Sequence, residues 1–278
     1  MSGSTDRRVP APVPSPAPAS PTDATATTTA SPAAAAAAAT GRSALSAPAL
    51  QGIRRLSALD SVRARIALAT DLGLLAPGER LPSSDEISAA LDVSEITVRR
   101  ALVSLCHDGV LERRRGRNGG TLVADPPRKG VVTAVDAYRS DATAVRDLID
   151  RRLVLECGIA HLATARATEA DLAPLDELTE EMDRATSWAA FHRCDERFHL
   201  ALATATGLRS AVVSYDDVMR DLHRYYLPYP LDALRASNRE HRELLAALRR
   251  RDAAAAARIA ERHVRTLHDS MFVGLGES

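Results

Sequence analysis

The chain has 278 residues, 45% of them hydrophobic and 26% charged, and its 36 basic and 36 acidic side chains cancel. At that length one to three domains are expected, and a balanced charge excludes a general polyanion binder, so any contact with nucleic acid must come from a local patch. No stretch reaches the roughly 18 uninterrupted apolar residues of a membrane span, and Cys106, Cys157 and Cys194 are too few and too scattered for a disulfide framework or a metal or redox pair. They read as core thiols in a reducing cytoplasm.

Residues 1–50 are almost entirely Ala, Pro, Ser and Thr, with an unbroken alanine run from Ala33 to Ala39. So little large apolar surface cannot offset the entropy of ordering, and a disordered tail is expected. It lacks the basic start and Leu-rich apolar stretch of a signal peptide. A soluble, cytoplasmic protein follows from these features.

From residue 51 the pattern becomes helical. Leu59, Val62, Ile66 and Leu72 form an apolar stripe that ends at Gly73 and Pro77. Pro82 then presets a helix start, Ser83 or Ser84 can cap it, and Asp85 and Glu86 suit its positive end. Ile87, Ala90 and Leu91 share one face until Asp92-Val93-Ser94 breaks the period. Ser94 is a second N-cap, with Thr97 three residues on, and Val98, Leu102 and Leu105 supply the next stripe. Two helices across so short a turn make a helix-turn-helix, whose second helix offers its first residues to base edges: Ser94, Glu95, Thr97 and Arg99, with Arg100 beside them. Helical hairpins are common, so the next segment matters. Val110-Leu111-Glu112 and Thr121-Leu122-Val123 read as strands around a tip holding Arg113, Arg114, Arg115, Arg117 and Gly119. Residues 51–128 carry 12 Arg against 10 acidic residues, and four of those arginines lie between 113 and 117, where a winged helix reaches phosphates.

These motifs identify a resemblance. Gly73 to Ser83, Val93-Ser94, Thr97-Val98-Arg99, Ala101-Leu102, Gly109-Val110-Leu111 and the wing ending in Thr121-Leu122-Val123 resemble the winged-helix domain of the GntR family of bacterial regulators. The resemblance implies DNA contacts from Ser94, Glu95, Thr97, Arg99 and Arg100, and from Arg115, Arg117 and Gly119 of the wing. Two positions depart from it. The family usually places arginine where Asp85 and Glu95 stand here, and only Arg99 of that trio remains. A glutamate can accept from cytosine N4 where arginine reads guanine, which implies an unusual operator.

Asp125 to Gly130 reads as a linker by composition, extending over 126–140. Six helices follow: Ala142 to Arg166, Glu169 to Ala185, Trp188 to Thr206, Arg209 to Tyr226, Leu231 to Arg251 and Ala253 to Phe272, an antiparallel bundle able to hide a pocket. The fold expected is mainly α: a disordered tail over 1–50, a winged helix-turn-helix over 51–125, a linker over 126–140, and an all-helical effector-binding and dimerisation domain over 141–278.

In the bundle, Asp195 and His199 are four apart and share a helix face, while His241 and His263 occupy two later helices. One carboxylate and three imidazoles could converge as an N,N,N,O set suited to zinc, nickel or another divalent ion, manganese included. A carboxylate four residues before a histidine is more often a solvated pair. Residues 142–272 resemble the FadR C-terminal domain of one branch of GntR regulators, through Arg152 to Glu156, Ala163 to Thr168, Asp195 to His199, Ala205-Thr206-Gly207, Glu240-His241, Leu244 to Leu248, Asp252 and His263. Metal-binding members have ligands where Asp195, His199, His241 and His263 stand, so the resemblance implies a divalent metal, with zinc the first expectation. It also implies an acidic effector clamped by Arg152; the competing reading of Arg152 is an intrahelical pair with Glu156. Glu156, His223 and Tyr226 complete the expected effector set. His107, His161, His192 and His268 are taken as packing or surface residues.

Together these imply a regulator, repressor or activator, that binds a palindromic operator in double-stranded DNA as a homodimer and responds to a small organic acid. Two alternatives stand beside it: a metal-dependent enzyme using the bundle site, and a DNA-binding protein whose bundle only dimerises. No catalytic residue is assigned, since no base is placed.

Overall fold

The computed structural model describes residues 56–116 and 119–270. The expected tail over 1–50, Arg117 and Phe272 lie outside the described residues.

The first helix, α1 (Ala58–Asp71), starts at Ser57, whose hydroxyl accepts from the Asp60 amide at 3.1 Å. The next, α2 (Ser84–Leu91), opens in a capping box: Glu86 accepts from the Ser83 amide at 3.0 Å and from its hydroxyl at 2.7 Å. Asp92 then turns the chain with φ 51°, a left-handed conformation that an aspartate tolerates better than a bulky residue. Helix α3 (Glu95–His107) starts at Ser94, which accepts from the Thr97 amide at 3.2 Å. Both expected N-caps are in place. The wing is a two-stranded antiparallel ribbon, β1 (Leu111–Arg114) and β2 (Gly120–Val123), pairing Leu111 with Val123 and Arg114 with Gly120. The segment before α2 lies along its other edge, through Leu81 N to Thr121 O at 2.9 Å and Val123 N to Glu79 O at 2.9 Å.

The stretch expected as a bare linker contains a short helix, α4 (Val135–Ser140), because Val135 and Tyr138 bury completely enough to hold it. The bundle follows as α5 (Ala142–Arg166), α6 (Glu169–Arg184), α7 (Trp188–Thr204), α8 (Arg209–His223), α9 (Leu231–Arg249) and α10 (Ala253–Ser270). Every start coincides with the sequence expectation; α5 also ends where expected, at Arg166, and α6 to α9 end one to three residues earlier. Ends fray because their last carbonyls lack helical partners. Helix α10 runs along α5, and α7 packs on α6.

The head and the near half of the bundle share one apolar core. Val62, Ile66, Leu102 and Leu105 of the head belong to the same buried cluster as Val145, Ile149, Trp188, Leu222 and Tyr225 of the bundle. A second cluster, with Ile159, Phe198, Leu202, Leu244, Leu248 and Ala260, fills the far half. The polar seam between head and bundle is equally specific. Arg65 of α1 is 2% exposed; its Nε donates to the Tyr226 carbonyl at 2.8 Å and its Nη2 to the His223 carbonyl. A buried guanidinium thus caps the C-terminal end of α8, where the helix dipole is negative. Glu86 of α2 accepts from Ser187 at 3.0 Å, and Tyr138 donates to the Arg224 carbonyl at 3.2 Å.

Replacing Arg65 by Met keeps the aliphatic stem and removes both donations. Denaturant unfolding should show a loss of about 1–3 kcal/mol, the cost of leaving buried acceptors without their donor, with the head unfolding earlier. An unchanged midpoint would exclude this role.

Candidate nucleic-acid interface and bundle site

On the head, the start of α3 stands clear of the core. Ser94, Arg99 and Arg100 are exposed, Glu95 and Thr97 partly so, while Val98, Ala101 and Leu102 face inward. Glu95 and Arg99 pair at 2.5 Å, one turn apart on the helix. In the wing Arg113 and Arg115 are exposed, and Arg114 is paired with Glu112 at 2.7 Å. Gly119 is buried against the wing's own backbone: a Cβ there would stand 2.2 Å from the Arg114 carbonyl oxygen. Its observed contribution is to let the tip close.

In the bundle, α7, α9 and α10 bring three histidines together. His263 Nε2 stands 3.3 Å from His199 Nε2 and 3.3 Å from His241 Nε2, and all three rings present a nitrogen within 4.8 Å of the others. Asp195 Oδ1 lies 3.6 Å from His241 Nε2 and 3.9 Å from His199 Nε2. Donor atoms about 2.0–2.2 Å from one ion stand roughly 3–4 Å apart, so the three histidines fit a divalent metal, with Asp195 beside two of them and outside their mutual cluster. His263 Nδ1 meets Glu240 at 3.1 Å, which aims the opposite nitrogen inward as a metal-ligating histidine requires. His241 is buried, its Nδ1 has no hydrogen bond, and burial together with the His263 and His199 rings holds it well below the usual imidazole range. It is a neutral donor.

Behind the histidines lies a buried charge cluster. Arg152 Nε donates to Glu156 at 2.8 Å, Tyr215 donates to the same carboxylate oxygen, and His199 Nδ1 is 3.3 Å from the other oxygen. Burial opposes the Glu156 charge, but Arg152 and His199 outweigh it and hold the carboxyl well below its usual range. Arg152 Nη2 also reaches His199 Nε2 at 2.9 Å. A guanidinium has donors only, so this nitrogen accepts and a neutral ring carries its proton on Nδ1, which lies 3.3 Å from Glu156 Oε1 without hydrogen-bond geometry.

A cavity of about 360 Å³ opens beside this cluster, lined by Arg152, Asp195, Glu240 and His263 and also by His192, Glu196, His223 and Tyr226. That volume suits a small organic ligand. Tyr226 Oη and His223 Nε2 are buried without hydrogen bonds. Burial and the Arg65 charge push His223 down to about 4. Of the expected effector residues, Arg152, His223 and Tyr226 line the cavity; Glu156 stands behind Arg152, its carboxylate already engaged.

Two family profiles match this chain: "Bacterial regulatory proteins, gntR family" over residues 58–123 and "FCD domain" over residues 147–266. The chain belongs to the GntR family. Its FCD domain places it in the branch with an all-helical C-terminal module. The Uxu operon transcriptional regulator of Escherichia coli is 36% identical over 133 residues, 47% of this chain and 51% of that protein. The HTH-type transcriptional regulator LutR of Bacillus subtilis is 32% identical over 48% of this chain and 61% of its own length. The Glc operon transcriptional activator of Escherichia coli is 26% identical over 71% of this chain and 84% of that protein. The chain thus spans about half to three-fifths of the first two relatives. The family and these relatives are transcriptional regulators rather than enzymes. Among the described residues no helix is long and apolar enough to cross a membrane.

Sequence reasoning missed Glu240, Tyr215 and His192. Glu240 adjoins a candidate ligand and could have been found by asking which carboxylate orients each histidine; the other two carry no local signal. Replacing Glu240 by Gln should weaken Zn²⁺ binding by the full chain about 10- to 100-fold, read by competition with a chromophoric chelator. Unaltered affinity would remove His263 from the ligand set.

Proposed function

We propose that this chain is a cytoplasmic, homodimeric, DNA-binding transcriptional regulator whose operator affinity is set by a small carboxylate effector, bound with a divalent metal in the bundle cavity. Zinc is the first candidate, nickel and manganese the alternatives. The metal ligands are Asp195, His199, His241 and His263. The DNA-contacting set is Ser94, Glu95, Thr97, Arg99 and Arg100, with Arg115, Arg117 and Gly119 from the wing. Family membership supports the regulator. The observation that supports effector control is that Arg152 reaches His199 Nε2 at the cavity wall, so the carboxylate-binding cation and the candidate metal site are contiguous.

When bound, the metal supplies an open coordination position to an effector carboxylate. Arg152 Nη2 lies on His199 Nε2, the nitrogen that would hold the metal, so a bound metal would leave that guanidinium edge free to clamp a carboxylate oxygen of the effector. Glu156 keeps Arg152 from leaving the site, and His223 and Tyr226 line the same cavity. The link to DNA passes through Arg65, which joins the head to the carbonyls of His223 and Tyr226. An effector that moves the end of α8 therefore acts on α1 of the head.

Site selection from random duplex DNA should return an inverted repeat. Arg99→Ala should then cost about 1–3 kcal/mol at the base it reads, and Glu95→Ala should relax a cytosine position; recovery of no sequence with or without Zn²⁺ would sink specific DNA recognition. On the selected operator, an effector found by screening small hydroxy and dicarboxylic acids should shift affinity about 5- to 150-fold, with DNA shifting effector affinity by the same factor. Arg152→Lys or chelation of the metal should abolish that shift while leaving unliganded DNA binding intact, and independence of the two affinities would refute the allosteric reading.

A further inference from the structure

The lining of the same cavity carries a second cluster. His192 and Glu196 are four residues apart on α7, and His223 ends α8; each offers a ligand atom within 4.8 Å of the other two. His192 Nε2 and His223 Nδ1 are 3.1 Å apart, and Glu196 Oε1 is 4.0 Å from His223 Nδ1. Their positions are fixed. His192 is 8% exposed and stacks on Tyr226 with ring centroids 3.6 Å apart, while the His223 backbone carbonyl is tied to Arg65. Two nitrogens at this separation, with a carboxylate one helical turn along, match the donor spacing around one ion.

Acidic side chains flank the cluster, since Asp195 precedes Glu196 on α7 and Asp216 of α8 lines a crevice with Glu196, while the Arg65 guanidinium is spent on the His223 and Tyr226 carbonyls. We propose that His192, Glu196 and His223 form a second divalent-cation site, of the zinc type, at the seam between bundle and head. Two imidazoles and one carboxylate leave a position open to the cavity, which water fills. When the cation enters, the proton between His192 Nε2 and His223 Nδ1 moves to the outer nitrogen of the ring that holds it, His192 Nδ1 or His223 Nε2, so both rings stay neutral. Asp92, in the turn between α2 and α3, adds negative charge from the head. The site does not depend on the metal proposed at the three-histidine cluster.

The test is Zn²⁺ stoichiometry of the full chain, stripped with chelator and titrated by calorimetry, with elemental analysis after gel filtration. The expected result is two ions per chain, one in His223→Ala, one in His263→Ala and none in the double variant. Glu196→Gln, a half-exposed position that folding tolerates, should keep two sites but weaken one about tenfold, with an unchanged circular dichroism spectrum. One ion that is lost in His263→Ala and insensitive to His223→Ala and Glu196→Gln would overturn the second site. One ion lost in His223→Ala but kept in His263→Ala would uphold it and instead remove the first.

Discussion

The arrangement in the bundle depends on a carboxylate that is almost wholly out of water. Glu156 is 1% exposed, and it keeps its charge only because Arg152, Tyr215 and His199 surround it. An unpaired charge there would cost several kcal/mol, so the three partners are held wherever Glu156 is. They come from three helices: α5 supplies Arg152 and Glu156, α7 supplies His199, and α8 supplies Tyr215. One buried charge thus registers the three helices.

That registration explains why the polar residues face one another rather than scattering. With His199 oriented by Glu156 on one nitrogen, its other nitrogen faces His263 and Arg152. Glu240 orients His263 in the same manner. Each inward nitrogen is backed by a carboxylate or by burial, the outer-shell support that metal ligands use. Asn238 adds a further tie, donating to the Thr179 carbonyl at 2.8 Å and to Asp183 at 2.6 Å, which locks α9 onto α6.

Head and bundle are joined by a continuous apolar cluster and by Arg65, not by a loose tether. The buried guanidinium accepts its desolvation because the carbonyls at the end of α8 and the helix dipole compensate it. The residues that line the cavity and those that hold the head are therefore adjacent in the chain: His223 does both.

Much of this was legible in the linear pattern. Apolar periodicity and capping residues such as Ser83 and Ser94 act within a few residues of themselves, so the helix starts and the wing could be read directly. The resemblance supplied the four candidate ligands as residue types in order. Other features had no local signature. Val135 and Tyr138 make a helix of an apparent linker because Tyr138 finds Ser61 and Arg224 far away in sequence. His192 and Arg65 look like ordinary helical residues until α7, α8 and α1 meet. Glu156, read as a possible partner for the effector, is consumed by burial behind Arg152. Local sequence decides where helices begin, because caps and periodicity are short-range forces; which of the eight histidines share a site is decided only when helices distant in the chain pack and desolvate their polar groups together.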